Sequence, residues 1–487
     1  MKLFTEPLEA LSEYRELKED ILQDRLPAYV AGCVDSQKCH WISSVSEAYP
    51  TKLIITYSEA RAKALYEDYR FFDRDVFIYP ARDVIFYNAD VHSHLLVSKR
   101  LAVLKRLMEG ERMTVITTVD GLMDALVPLE VLKQQIIRLY EGAVVSQDQL
   151  IKRLVNMGFE RTGQVEGPGQ FSIRGGILDV YNLMDDCPYR IEFWDDEIDT
   201  IRSFDVQSQR SIERCETYNI YPAAEMVFSG DKIRKGLSAI KKDVEKQKKK
   251  FAGEGQQEAA GRLDRIYEDA RDAFEGGYGE SNVDSLIRYF YPETVSLAED
   301  FDREQTLVFL DEPHRIAEKA ESVTREFEES MKGRLEKGYI LPRQMEVLVD
   351  VRQIFRLLEQ RKTILLSTLE QRQMPMAFKS QYHLDVKSIQ PYNRNFELLV
   401  KDLKRWKKKQ YQIILVAQSK TRAQHLAADL ESYELTAAAV DDLESSVLPG
   451  QIIICGGRLH GGMEYTSLHF VILSESDIFG EEKRKRR

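Results

Sequence analysis

The octapeptide Gly32-Cys33-Val34-Asp35-Ser36-Gln37-Lys38-Cys39 follows the apolar stretch LPAYVAG and precedes a segment of helical character. Its spacing is that of a phosphate-binding P-loop. There, glycines let the backbone close on phosphates, a lysine neutralises them, and a hydroxyl holds Mg²⁺. Only part of that chemistry is present. Gln37 puts a side chain where a glycine belongs, and Cys39 offers a soft thiol where Mg²⁺ prefers a hard oxygen. Lys38 alone keeps the charge. Gly32, Gln37, Lys38 and Cys39 therefore read as the relic of a nucleotide site, with no turnover of ATP expected from this chain.

A second constellation is the apolar run TLVFL (306–310) followed by Asp311-Glu312-Pro313-His314. A buried strand ending in Asp-Glu is how P-loop motors aim one carboxylate at Mg²⁺ and another at the attacking water. Asp311 also fits a plainer role, capping a helix through Ile316–Glu329 with Pro313 in its first turn. Beside a damaged P-loop, Asp311 and Glu312 suggest a motor fold that has lost its chemistry. The sequence shows no metal-ligand cluster, nucleophile elbow or paired catalytic histidines elsewhere, so neither a metal nor a cofactor is expected.

The third constellation lies in period-two segments. In YRIEFW, alternation puts Ile191 and Phe193 on one face and Arg190, Glu192 and Trp194 on the other. In QFSIR, Phe171 and Ile173 point one way, Ser172 and Arg174 the other. Two arginines and a tryptophan on one sheet face are the residue types of an interface anchor. The alternative is a tryptophan lying over its own arginine stems. An outward face supports no core, so substitutions at Arg190 are expected to leave folding unaffected.

The elements that must position these residues fall into four stretches. Residues 1–130 alternate short apolar strands (28–32, 52–58, 75–80, 113–119) with helical segments such as Glu59–Tyr69 and Ser98–Met108, the rhythm of a parallel α/β sheet. The opening MKLFTEPLEALSEYRELKED reads as an amphipathic helix and not as a signal peptide. Residues 131–218 hold a helix, Gln147–Asn156, and then successive strands turned by Gly175-Gly176 and by DDEID, a mainly antiparallel α+β unit. Residues 219–370 are helix-rich and charged, with a lysine-rich run at 241–250 and a break at FAGEG. Strands at 306–310 and 363–368 rejoin the first sheet. Residues 371–487 form a second small α/β unit, with helices Asn395–Lys408 and Thr421–Tyr433, that runs into EEKRKRR. A basic run is an odd place for a domain to end, and a longer polypeptide is expected.

Composition limits what such a chain does. At about 150 residues per domain, 487 residues make three or four units. The net charge of −11 makes it a poor general polyanion binder, so weak, salt-sensitive duplex DNA binding is expected, carried by 241–250 and 483–487. No stretch approaches the roughly 20 apolar residues of a membrane span, and no membrane partner is expected. The five cysteines are scattered without C-x-x-C spacing, which fits a reducing cytoplasm.

Three motifs resemble the excision-repair protein UvrB: 79–90 (YPARDVIFYNAD), 173–181 (IRGGILDVY) and 189–199 (YRIEFWDDEID), with Phe204-Asp205 and Gln209-Arg210 after them. The damaged P-loop and the closing Glu475-Ser-Asp-Ile-Phe-Gly480 resemble more closely the N-terminal, UvrB-homology part of bacterial transcription-repair-coupling factors. That resemblance implies a degenerate RecA/UvrB-like α/β domain in two parts (1–130 and 219–370), an inserted UvrA-interacting domain (131–218) and a small α/β domain of unknown role (371–487). It implies recruitment of UvrA to stalled RNA polymerase through Arg174, Arg190 and Trp194, the last commonly phenylalanine in the family. RNA polymerase, duplex DNA, ATP and Mg²⁺ would be engaged by parts of the full-length protein outside this chain. The competing implication is an active UvrB-like ATP-dependent helicase or damage-loading enzyme.

Overall fold

The computed structural model describes residues 1–82, 94–275 and 283–480. Residues 83–90 of the first resemblance motif and the basic end 481–487 lie outside the described residues. In chain order the first four strands are β1 (Ala28–Ala31), β2 (Thr51–Thr56), β3 (Val76–Tyr79) and β4 (Met113–Thr118). The next eight are β5 (Ile137–Tyr140), β6 (Glu160–Arg161), β7 (Gln170–Arg174), β8 (Ile177–Val180), β9 (Tyr189–Trp194), β10 (Glu197–Phe204), β11 (Ser211–Cys215) and β12 (Thr217–Ile220). Then come β13 (Thr306–Asp311), β14 (Thr363–Ser367), β15 (Ser380–His383) and β16 (Val386–Ser388). The last five are β17 (Gln412–Ala417), β18 (Ala437–Val440), β19 (Ile452–Gly456), β20 (Met463–Tyr465) and β21 (Phe470–Ser474).

The first sheet is seven-stranded and parallel, in the order β15-β1-β14-β13-β2-β4-β3. Its central strands are continuous apolar runs because both faces are covered: β4, β13 and β14 are buried along their whole length. β13 and β14 come from far along the chain and sit between β1 and β2, so this sheet is split in sequence by what lies between. β15 adds a correction. Ser380–His383, read above as part of the last unit, pairs with β1, so the first sheet extends past residue 370. The N-terminal stretch also differs from one amphipathic helix: it is a short helix (Lys2–Thr5), a 3-10 turn (Glu6–Ala10) and a second helix (Ser12–Leu22). Pro7 lies in the 3-10 turn and Leu11 is extended (φ −82°, ψ 125°), which ends any continuous helix there.

The second sheet, β11-β10-β9-β8-β7-β6, is antiparallel except for the parallel pair β6–β7. Leu178, Ile191 and Ile201 line one face of it and pack on Leu150 and Leu154 of the Gln147–Asn156 helix. The chain leaving this unit is pinned to the first sheet by a buried charge cluster. Arg100, with no exposed surface, binds Glu225 through Nε (2.8 Å) and Asp124 through Nη1 (2.7 Å), and Arg82 also reaches Glu225 (2.6 Å). The helices Gly230–Gly253 and Gln257–Glu275 follow, divided at the glycines of FAGEG. The third sheet, β16-β20-β21-β17-β19-β18, has a parallel core and antiparallel pairs at β16–β20 and β20–β21. Among the described residues, no helix is long and apolar enough to cross a membrane.

Candidate docking face and P-loop-like stretch

In the P-loop-like stretch 32–39 the helix begins at Asp35, so Gln37, Lys38 and Cys39 all lie within it and are buried. Lys38 Nζ is 2.7 Å from Asp311 Oδ1, 2.6 Å from Glu312 Oε1 and 3.3 Å from Asp35. Arg61 Nε holds the other Asp311 oxygen at 2.8 Å, and the Thr56 hydroxyl donates to it at 2.9 Å. Asp311 is thus not a helix cap. The Pro313–Glu336 helix starts instead from Glu312, in the left-handed region (φ 62°), whose carboxylate accepts from the backbone and hydroxyl of Thr368. Burial alone would raise the Asp311 carboxyl, but Lys38 and Arg61 hold it below its ordinary value.

These residues do not fit magnesium-bound ATP. Gly32 has φ +79°, and a Cβ there would come within 2.1 Å of the Leu384 carbonyl oxygen: the glycine's open side is taken by the protein's own backbone. The Cys33 N–H donates to Ser367 O (3.0 Å) and not outward. Cys39 Sγ, fully desolvated, contacts Leu65 O, and burial pushes its thiol well above its ordinary value. Asp35, Asp311 and Glu312 lie close enough to share an ion, but the Lys38 ammonium occupies their centre. The third-sheet unit closes over the same helix. Ser36 Oγ donates to Gly462 O (2.8 Å), and His40 sits between the Tyr465 hydroxyl and Phe4 O.

Arg174, Arg190 and Trp194 do share one sheet face. The two-residue turn Gly175-Gly176, with Gly175 at φ +61°, joins β7 to β8 and sets Ser172 opposite Asp179 and Arg174 opposite Ile177. β9 then sets Asp179 opposite Arg190 and Ile177 opposite Glu192. Alternation carries Trp194, at the end of β9, onto this side. Its side chain is 82% exposed, and it is Phe204, not Trp194, that lies under Arg190, with the guanidinium 4.4 Å from the ring centre. The reading of Trp194 as packed over its own arginine stems is therefore corrected.

The face also holds residues that sequence reasoning passed over. Asp179, nearly fully buried, accepts from Arg190 Nε (2.7 Å) and Nη2 (2.9 Å) and from Arg174 Nη2 (3.3 Å). Gln209 Oε1 accepts from Arg190 Nη2 at 3.1 Å. Both lay within quoted motifs. The signal was a lone acid among the apolar residues of ILDV, one strand away from an arginine. The expectation that Arg190 supports nothing is corrected: its side chain is only 17% exposed and neutralises a buried carboxylate.

A family model described as the UvrB interaction domain matches residues 137–226, the segment that carries this face. The transcription-repair-coupling factor of Bacillus subtilis (strain 168) is 30% identical over 85% of this chain and 35% of its own length. That of Staphylococcus aureus (strain Mu50 / ATCC 700699) is 27% identical over 92% of this chain and 38% of its own. This chain is related to the N-terminal region of transcription-repair-coupling factors. It spans a little over a third of the length of these curated relatives. The segment matched by the interaction-domain model contains Arg174, Arg190 and Trp194.

Proposed function

We propose that this chain is the recruiting part of a transcription-repair-coupling factor, docking UvrA through Arg174, Arg190 and Trp194 where RNA polymerase has stalled. The observation that carries this reading is the shared face: two arginines, an 82% exposed tryptophan and the half-exposed Ile177, on the open side of a sheet in the matched interaction domain. Arginine's planar fork suits a partner carboxylate, and an indole fills an apolar pocket. Contacts to RNA polymerase and duplex DNA, and the ATP-driven motor, belong in this reading to the part of the full-length protein outside this chain. The reading places the protein in the cytoplasm, where the stalled polymerase is.

The competing reading is a working UvrB-like ATP-dependent helicase, and the Lys38–Asp311 pair weighs against it. The test is calorimetry of the chain with UvrA from the same organism. Truncating one partner of a desolvated charge pair costs about 2–5 kcal/mol. Arg190→Ala should thus weaken binding about 30-fold or more, at about 1.4 kcal/mol per tenfold. Unchanged binding in Arg174→Ala, Arg190→Ala and Trp194→Ala together would end the docking reading. Magnesium-dependent ATP binding at micromolar concentration would revive the helicase.

A further inference from the structure

A buried carboxylate in the middle of a face that is to meet carboxylates needs a reason. Asp179 lies on β8 between Leu178 and Val180, both without exposed surface, and is itself 1% exposed. An ionised acid so placed is costly unless it is paired and hydrogen-bonded. The pairing is unusually complete on the Arg190 side. Asp179 takes the Nε and Nη2 edge of that guanidinium in a two-point grip, Gln209 Oε1 takes Nη2 as well, and the Phe204 ring closes one flat side. Gln209 is in turn oriented by its own Nε2, which donates to Val206 O at 2.8 Å. Of the five N–H donors of the guanidinium, those on Nη1 have only a long 3.5 Å approach to Gln209 O. Arg174, more than half exposed, touches the same Asp179 oxygen from the other side.

We propose that Asp179 is the positioning residue of the docking face. One buried carboxylate, shared by Arg174 and Arg190, fixes the Arg190 guanidinium so that its Nη1 edge remains for a ligand. It also leaves the pair of arginines with one net positive charge instead of two. Glu192 and Arg202 beside them offset each other at 3.7 Å. An arginine pair with one net charge, flanked by Trp194 and Ile177, selects a partner segment presenting a single carboxylate beside an apolar pocket. It discriminates against acidic tracts, which a doubly charged arginine pair would attract. This rests on the docking reading above and adds to it the chemistry of the partner and the residue that sets it.

The test uses the full chain carrying Asp179→Asn, which keeps the volume and removes the charge. Affinity for UvrA is expected to fall about tenfold or more, and the residual binding to depend more steeply on salt, since two uncompensated arginines now face the partner. Retention on immobilised poly-glutamate at low salt is expected to rise, a gain that a merely loosened fold does not produce. In an Arg174→Ala, Arg190→Ala background, Asp179→Asn should cost less than about twofold more, because Asp179 acts through those arginines. Fully additive losses, or poly-glutamate retention no different from the parent chain, would overturn the proposal. If Arg190→Ala and Trp194→Ala abolish UvrA binding while Asp179→Asn leaves it intact, the positioning role alone falls. If those two substitutions leave UvrA binding untouched, the docking reading falls and this proposal with it.

Discussion

Lys38 Nζ stands 2.7 Å from Asp311 Oδ1, with neither side chain exposed to solvent. The lysine has the spacing of a phosphate ligand and the aspartate that of a magnesium ligand, and here each is the other's counter-charge. Arg61 and Glu312 complete a network that joins β1's following helix, the Glu59–Phe72 helix and the end of β13. The network forms an internal strut at the C-terminal edge of the parallel sheet.

A strut of this kind fails when half of it is removed. Breaking a buried pair by deleting one partner typically costs about 3–5 kcal/mol, because an uncompensated charge is left behind. Lys38→Ala should therefore lower the urea midpoint strongly, and the double variant Lys38→Met, Asp311→Leu less than the single. The pH sign follows from Asp311, whose carboxyl is held below its ordinary value of 3.8. Its contribution is fully present above that value and is lost as pH falls below it. A Lys38→Ala chain as stable as the parent at neutral pH would refute the strut.

Repairing the motif should not repair the site. Gln37→Gly with Cys39→Thr restores the phosphate-binding spelling, but the Leu384 carbonyl still abuts Gly32 and Lys38 remains bound to its acids. A magnesium-dependent titration with a fluorescent ATP analogue should stay flat into the hundreds of micromolar. Saturable binding at micromolar concentration in the double variant would show that the two substitutions alone had closed the site.

The arginine and the tryptophan of the docking face should separate when stability is measured. Arg190→Ala leaves Asp179 buried with only the longer Arg174 contact, and an acceptor stripped of its partner costs about 1–3 kcal/mol. Trp194→Ala removes a side chain that is 82% exposed, and such surface changes stay within about 0.5 kcal/mol. Denaturant melts of the two variants should show a clear loss for the first and none for the second. Equal losses would mean that Trp194 packs on its own sheet after all.

Much of this was legible in the residues, and the misses have physical causes. Parallel-sheet strands are buried on both faces and read as plain apolar runs, so β2, β4, β13 and β14 stand out in the sequence. β15 does not: SQYH is a partly exposed edge, and only its pairing to β1 reveals it. Alternation within β9 was enough to put Arg190 and Trp194 on one side. What alternation cannot say is which neighbour lies across the ladder, and so Asp179 and Gln209 stayed hidden until the strand register was known. The spelling of the P-loop showed that its chemistry was damaged, but not that Leu384, from a distant stretch, fills the space.

The last prediction concerns the seam between the first and third sheets. His40 has no exposed surface. Its Nε2–H donates to Phe4 O (2.8 Å), so Nδ1 is left to accept from the Tyr465 hydroxyl (2.9 Å), and the rings of Phe72 and Phe470 enclose it. That arrangement holds a neutral imidazole. Burial lowers its pKa from 6.5 to about 4, with the Phe4 carbonyl opposing only in part. Between those two values the unfolded chain binds a proton that the folded chain does not, so stability rises with pH across this window and is lost as pH falls from 6.5 toward 4. At about 1.4 kcal/mol per pKa unit the effect is about 3 kcal/mol. His460, on the same seam, works with the opposite sign. Its hydrogen bond to Asp68 (2.7 Å) and the nearby Glu67 raise its pKa, so its contribution is present below 6.5 and fades as pH climbs through the raised value. His40→Gln keeps a donor for Phe4 and an acceptor for Tyr465 without a titrating group. Stability-against-pH curves of parent and variant should therefore run together above pH 6.5 and diverge as pH falls toward 4, the parent losing stability that the variant keeps. Parallel curves over that range would show that His40 is protonated in the folded chain or open to water.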